Sequence, residues 1–365
     1  MIYRDLGIHD LLERALDKTL ICFGAGRQLI NACGEFSYLS FFEKIDFIAD
    51  NDKNIRYFTY NGVHKPVTSL DECIRSSERT PIILITVSDC KDLISQLDGI
   101  AALHDCECYN YTLMRDYVKP YQLPINRAEK EPLIIPKTIH YCWFGGNPMR
   151  DDFKAYIETW KKHCPDYDIV RWDESNYDYK KNEYMYDAYK RKIWGLVPDY
   201  ARLDIIYRYG GVYLDTDVEL IKNIDDLLCD EAFSGFEYIR LVNNGLGFGA
   251  VAGFPFFLKA MSLYNSISLF NADGSLNMTS GPDYHTEFMQ LEGLVRNNTL
   301  QKFQGMTVYP SDVLSPLSFL TGRLNITDNT YAIHHYAGTW LDSKQRDDMS
   351  KRIERNSFLF DVFRS

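Results

Sequence analysis

Short apolar runs bounded by glycine or acid alternate along this chain with stretches of helical period, and that alternation predicts strands joined by helices. Thr19-Leu-Ile-Cys-Phe23 reads as a buried strand entering a glycine turn, Gly24-Ala-Gly26, and then a helix. Ile45 to Ala49 reads as a second strand ending in Asp50, and Pro81 to Val87 is the near-continuous apolar run of a parallel sheet. Ile135 to Trp143 alternates, with Ile139, Tyr141 and Trp143 on one face and Gly145-Gly146 closing the run. Leu203, Ile206 and Tyr207 recur at helical spacing. Gly210-Gly211 then ends that helix, and Val212-Tyr213-Leu214 is a short core strand.

The pattern divides the chain. Strand–helix–strand alternation over residues 1–118 predicts a small Rossmann-like domain. Residues 119–132 hold Pro120, Pro124 and Pro132 among mixed charges and read as a linker. Residues 133–343 form a second α/β domain, and 344–365 a C-terminal helical tail. That tail mixes Lys, Arg and Asp with Phe358, Leu359, Phe360 and Phe363, so it either packs on the protein or makes peripheral contact with an anionic membrane.

Composition narrows the partners. A net charge of -11 argues against nucleic acid, since phosphate binding wants a basic face. Nine scattered cysteines without a CxxC pair suit reduced thiols; Cys106-Glu-Cys108 has the wrong spacing for a zinc knuckle. With no signal-type leader and no apolar stretch of bilayer length, the expected location is cytoplasmic, peripheral at most to the inner face of the plasma membrane.

Candidate chemistry concentrates in Asp199-Tyr-Ala-Arg202 and Gly210-Gly211-Val-Tyr213-Leu-Asp215-Thr-Asp217. Asp215 and Asp217 alternate at a strand end, so an extended backbone turns both carboxylates to one side. Two anions that close repel, and a hard divalent cation is the common remedy; such a cation can also neutralise a departing diphosphate. Asp199 and Arg202 share a helical face just after Pro198. By themselves these residues also suit a solvated loop and a surface ion pair.

With Ile135-Pro-Lys-Thr-Ile-His140-Tyr-Cys-Trp143-Phe-Gly145-Gly146 and Ala332-Ile-His334-His335-Tyr-Ala-Gly-Thr-Trp340, the chain resembles the family-32 DXD glycosyltransferases. These include capsule-sugar and initiating mannosyltransferases; the catalytic domains of clostridial glucosylating toxins are more distant. The resemblance implies a GT-A nucleotide-sugar transferase fold behind the Rossmann-like domain, and a retaining hexosyl transfer from a nucleotide-sugar. UDP-hexose is favoured, with GDP-mannose behind it. The acceptor it implies is a glycan or lipid-linked saccharide, in bacterial surface (capsular) polysaccharide synthesis.

Residue by residue, the resemblance makes Asp199, Arg202, Asp215 and Asp217 catalytic. Mn2+ (or Mg2+) is held by Asp217 and Asp215 with His335 completing the sphere; adjacent histidines on a strand face opposite ways, so His334 stays open as the substitute. Trp143 stacks on the base, worth about 1–3 kcal/mol. Tyr213, Asp215, Asn244 and Trp340 join it in nucleotide-sugar binding, and Asp283 of Ser280-Gly-Pro-Asp283 lies on the acceptor side, while the residues themselves favour a turn-capping aspartate there. Rival readings are a protein-glucosylating effector, a non-catalytic nucleotide-sugar-binding scaffold, and an NAD-dependent oxidoreductase. The last rests on Gly24-x-Gly26 with Asp50, a partial dinucleotide fingerprint whose third glycine position is Leu29.

Overall fold

Val-, Ile- and Phe-rich runs too short for helices become strands that are buried on both faces. The computed structural model describes residues 1–363 apart from 125, 278 and 339–342. The chain is α/β and divides into two compact units: Met1–Lys119 with Phe319–Arg323 and Met349–Ser365, and Pro120–Ser318 with Leu324–Asp348.

The first unit holds β1 (Ile2–Arg4), β2 (Thr19–Phe23), β3 (Phe47–Ala49), β4 (Tyr57–Tyr60), β5 (Val63–Thr68), β6 (Pro81–Ile85) and β7 (Glu107–Asn110) in the order β1-β7-β6-β2-β3-β5-β4. Every pairing is parallel except the β4–β5 hairpin. Strand alternation supplies both faces: Leu20, Cys22, Ile82 and Leu84 pack on one side, Ile21, Phe23, Ile83 and Ile85 on the other. Chain order reverses between β2 and β6, the point where open α/β sheets leave a crevice.

The second unit holds β8 (Thr138–Cys142), β9 (Asp168–Trp172), β10 (Gly211–Tyr213), β11 (Val218–Leu220), β12 (Ala232–Gly235), β13 (Phe248–Ala250), β14 (Gln301–Phe303), β15 (Met306–Tyr309) and β16 (Ala332–His334). Seven of these form a mixed sheet, β14-β15-β12-β13-β10-β8-β9, and β11 pairs antiparallel with β16 in a two-stranded ribbon.

Two expected segments behave differently from the sequence reading. The described residues of 120–132, expected within the linker, belong with the second unit: Arg127 grips Asp230 through both terminal nitrogens at 3.0 and 3.2 Å, and the Leu123 amide donates to Asn329. Paired charges replace solvent there, so the prolines mark an extended strap rather than a free tether. The tail forms the helices Ser343–Ser357 and Leu359–Phe363, and residues from Met349 onward belong with the first unit. Leu359 and Phe363 are buried in its core, Phe363 edge-on to Tyr3 at 4.9 Å, and Phe358 and Phe360 pack beside them. The apolar face a membrane would need is thereby used internally. No helix among the described residues is long and apolar enough to cross a membrane.

Candidate active site

In the second unit β8, β10, β12 and β15 run in one direction, and β13 runs against them. Their carboxyl ends therefore meet at one edge, where α/β sheets bind ligands. There β8 leads to Trp143, β10 to Asp215 and Asp217, and β12 to Glu237, while the loop before β13 brings Asn243 to Gly245.

The diglycine makes the turn into β10. Gly210 and Gly211 have φ of +68° and +91°, and a Cβ on Gly211 would lie 2.7 Å from the Thr138 carbonyl oxygen. Side chains are excluded on both counts. His140 braces the turn: its Nε2–H donates to the Gly210 carbonyl at 3.0 Å, and its Nδ1 accepts from the Trp172 indole at 3.1 Å. Burial pushes its pKa down to about 4, so the ring is neutral and its tautomer fixed.

The helix Pro198–Tyr209, opened by proline at its first position, delivers Asp199 and Arg202 inward. Arg202 Nη2 lies 3.2 Å from Asp199 and 3.4 Å from Asp215, bridging the two, and its guanidinium stacks over the Tyr213 ring at 5.2 Å. Burial raises the Asp199 carboxyl to about 6 in spite of Arg202. Asp215 is likewise raised, by burial and by Asp217, against the pull of Arg202. The Tyr213 hydroxyl donates to Asp215 at 3.0 Å. Gly245 closes over this cluster: a Cβ there would stand 2.4 Å from Asp215 Oδ2 and 3.1 Å from Arg202 Nη1.

The ribbon sets the next residue. Val218 pairs with His334, and the His335 amide donates to the Asp217 carbonyl at 2.9 Å, so His334 turns its Nε2 to Asp217 at 3.3 Å. Candidate ligand atoms of Asp215, Asp217 and His334 lie within 4.8 Å of one another. Burial works against ionised Asp217, but His334 and the Ala337 amide outweigh it and bring the carboxyl to about 2. His334 Nδ1 is buried with no hydrogen-bond partner among the described residues, a cost that a ligand would remove. Two carboxylates and an imidazole with one orphaned nitrogen suit a divalent cation.

The sequence-derived residues fall into four groups. Asp199, Arg202, Asp215 and Asp217 come together. Trp143 stands one residue past β8, half-exposed, with its indole N–H on the Asn147 carbonyl at 2.7 Å and its ring edge-on to Phe153. Trp340 lies outside the described residues.

The others are corrected. His335 does not turn to the aspartates: its Nε2 meets Glu219 at 2.9 Å and its ring stacks on Tyr156, because the ribbon register gives the inward face to His334. Tyr213 is fully buried, so it holds Asp215 and Arg202 rather than a ligand. Asn244 is buried too, bonded to Ser234 and His285. Asp283 takes the turn-capping role the residues favour, closing a capping box with Ser280 on the helix Gly281–Leu291 through its Oδ2. Glu237, which accepts from the Asn243 amide at this edge, is not among the sequence-derived residues. The available signal for Glu237 was an acid just past an apolar strand, as at Asp50 and Asp215.

Residues 150–234 match the family described as glycosyltransferase sugar-binding region containing DXD motif. The mannosyl phosphorylinositol ceramide synthase SUR1 of Saccharomyces cerevisiae is 33% identical over 144 residues, 37% of this chain and 36% of that protein. Inositol phosphoceramide mannosyltransferase 3 of Schizosaccharomyces pombe is 34% identical over 139 residues, 35% of this chain and 36% of its own. The chain thus spans about a third of the length of these relatives. The solved PaToxG glycosyltransferase aligns with 46% of this chain and 73% of its own at 22% identity and a TM-score of 0.37. Asp199, Arg202, the diglycine and both DXD aspartates lie inside the segment that matches that family.

Proposed function

We propose that the second unit is a metal-dependent, retaining glycosyltransferase of GT-A type that moves a hexose from a nucleotide-sugar to a glycan or lipid-linked acceptor. The observation that carries this is the convergence of Asp215, Asp217 and His334, whose Nε2 meets Asp217 while its Nδ1 has no partner among the described residues, beside an arginine already committed to two acids. Asp215, Asp217 and His334 would hold the cation, which when bound offsets charge on the diphosphate.

The chain's own residues do the rest. Arg202 and the Tyr213 hydroxyl fix Asp215 from two sides, so its position does not depend on the ligand. Asp199, buried and held by Arg202, offers a carboxyl for donor-sugar hydroxyls. Trp143 offers a half-exposed ring at the base end. In the transfer the anomeric C–O bond breaks with its electron pair going to the diphosphate. The acceptor oxygen bonds to the anomeric carbon, and its proton leaves with the diphosphate.

Trp143 as a base platform favours UDP-hexose. A second reading, GDP-mannose, is favoured by the mannosyl transfer in the names of both fungal relatives, which also point to a lipid-borne polyol as acceptor. Surface-polysaccharide assembly at the cytoplasmic face remains the setting we infer.

A panel of UDP- and GDP-hexoses incubated with Mn2+ tests all of this. Release of nucleoside diphosphate from one donor, lost with EDTA and with Asp217→Ala, is the expected result and names the donor. Absence of both donor binding and release across the panel overturns the proposal. A β-linked product by proton coupling constants overturns retention alone.

A further inference from the structure

Two buried carboxylates of the second unit are answered by cations, while buried Asp312 has both oxygens taken by neutral donors, the Tyr121 and Thr327 hydroxyls and the Asn329 amide. Asp204 is paired with Lys181 at 2.7 Å and Asp230 with Arg127 at 3.0 Å, besides Lys302. Glu237 is buried to the same degree, 4% exposed, yet no lysine or arginine pairs with it among the described residues. Its Oε2 accepts from two neutral donors, the Asn243 amide at 3.1 Å and the Tyr336 hydroxyl at 3.3 Å. Both bonds fall on that one oxygen, whereas Asp312 has donors on each of its two.

Both donors tie Glu237 to the cluster. Asn243 Oδ1 accepts from the Gly245 amide at 2.7 Å, and Gly245 is the residue whose Cα faces Asp215 and Arg202. Tyr336 sets its ring edge-on to His334 at 4.1 Å. Glu237 itself stands past the carboxyl end of β12, across β13 from Asp215. An acid held by an amide and a phenol at the rim of a nucleotide-sugar site is suited to accept hydrogen bonds from vicinal hydroxyls.

We propose that Glu237, positioned by Asn243 and Tyr336, binds hydroxyls of the donor's hexose ring and so adds a sugar-specific contact to the nucleotide site. This rests on the glycosyltransferase reading above. Both existing partners are donors, so in Glu237→Gln the amide oxygen turns to them and the NH2 group replaces the acceptor that faces the sugar.

Calorimetry with Mn2+ on the full chain compares UDP and GDP with UDP-glucose and GDP-mannose. For Glu237→Gln we expect unchanged nucleoside diphosphate affinity and an affinity for the preferred nucleotide-sugar at least tenfold weaker. Tyr336→Phe, which removes one support, should weaken the same ligand two- to fivefold and spare the diphosphate. Equal weakening of diphosphate and nucleotide-sugar, or no change in either, overturns the proposal. If the unaltered chain binds neither class with Mn2+, the transferase reading itself fails, and the variants are not what decided it.

Discussion

Asp50 and Asp215 occupy the same place in their two sheets, just past the carboxyl end of a buried strand, and differ in what answers them. Asp50 accepts from the Ala25 amide at 2.7 Å with one oxygen and from the Asp52 amide at 2.8 Å with the other. Nearby backbone satisfies it completely. Asp215 is met by Arg202 and Tyr213, but also by the like charge of Asp217 and by an imidazole with an orphaned nitrogen. An acid spent on backbone amides shapes a turn, whereas adjacent carboxylates beside a buried imidazole are a setting suited to a divalent cation. The same contrast bears on the dinucleotide reading of the first unit. The carboxylate that would meet a ribose is taken by Ala25, and Leu29, where the third glycine would sit, fills the core.

The largest expected effect lies on the second side of the comparison. Asp217→Ala should cut metal-dependent donor release by about 10³-fold; release within tenfold of the parent would erase the difference between the two edges. Next, Phe363→Ala should cost the first unit about 3 kcal/mol by opening a cavity beside Tyr3. Hydrogen exchange should show that loss in β1 and β7, with donor release unchanged. A loss of release would make the first unit part of the catalytic apparatus.

Acid should separate the units as well. The His140 pKa falls from 6.5 to about 4 on folding, so the unfolded chain takes up the proton first. The stability this group contributes is complete above pH 6.5 and shrinks towards pH 4, by about 3 kcal/mol in all. In the first unit burial resists ionised Glu107, but Lys18, Arg4 and Arg14 outweigh it and lower its pKa. Its contribution is present above the ordinary glutamate value of 4.5 and is lost only below that. Segment-resolved hydrogen exchange between pH 6.5 and 4.5 should therefore show the strands around His140 loosening before β7. His140→Gln should flatten that response; if β7 loosens first, the assignment is wrong.

Smaller effects sharpen the contrast. Gly245→Ala drives a Cβ to 2.4 Å from Asp215 Oδ2, and a displaced carboxylate should cost about 10²-fold in donor release with little change in melting temperature. Asp50→Asn should destabilise the first unit by about 1 kcal/mol and leave donor release untouched. Reduced binding of the preferred nucleotide-sugar in Asp50→Asn would restore the ligand reading of that edge.

Much of this was legible in the residues. Buried runs at 19–23 and 81–85 cannot stay in water, and alternation at 138–142 and 211–213 sends side chains to both faces of a sheet. Asp215 and Asp217, like Asp199 and Arg202, are local pairs whose spacing alone puts them together. What local spacing could not show was long-range. Whether His334 or His335 faces the aspartates depends on the register of β16 against β11, and a one-residue slip would exchange them.

The sequence by itself determined the α/β alternation, the diglycine break and the local geometry of the acidic pairs, because these follow from side-chain period and backbone freedom within a few residues. Only the tertiary structure decided that Glu237 and Asn243 join the cluster, that Asn244 and Tyr213 turn inward, and that the terminal phenylalanines are core. Those outcomes depend on which distant segments pack together and which polar atoms are left without water, and no local pattern records either.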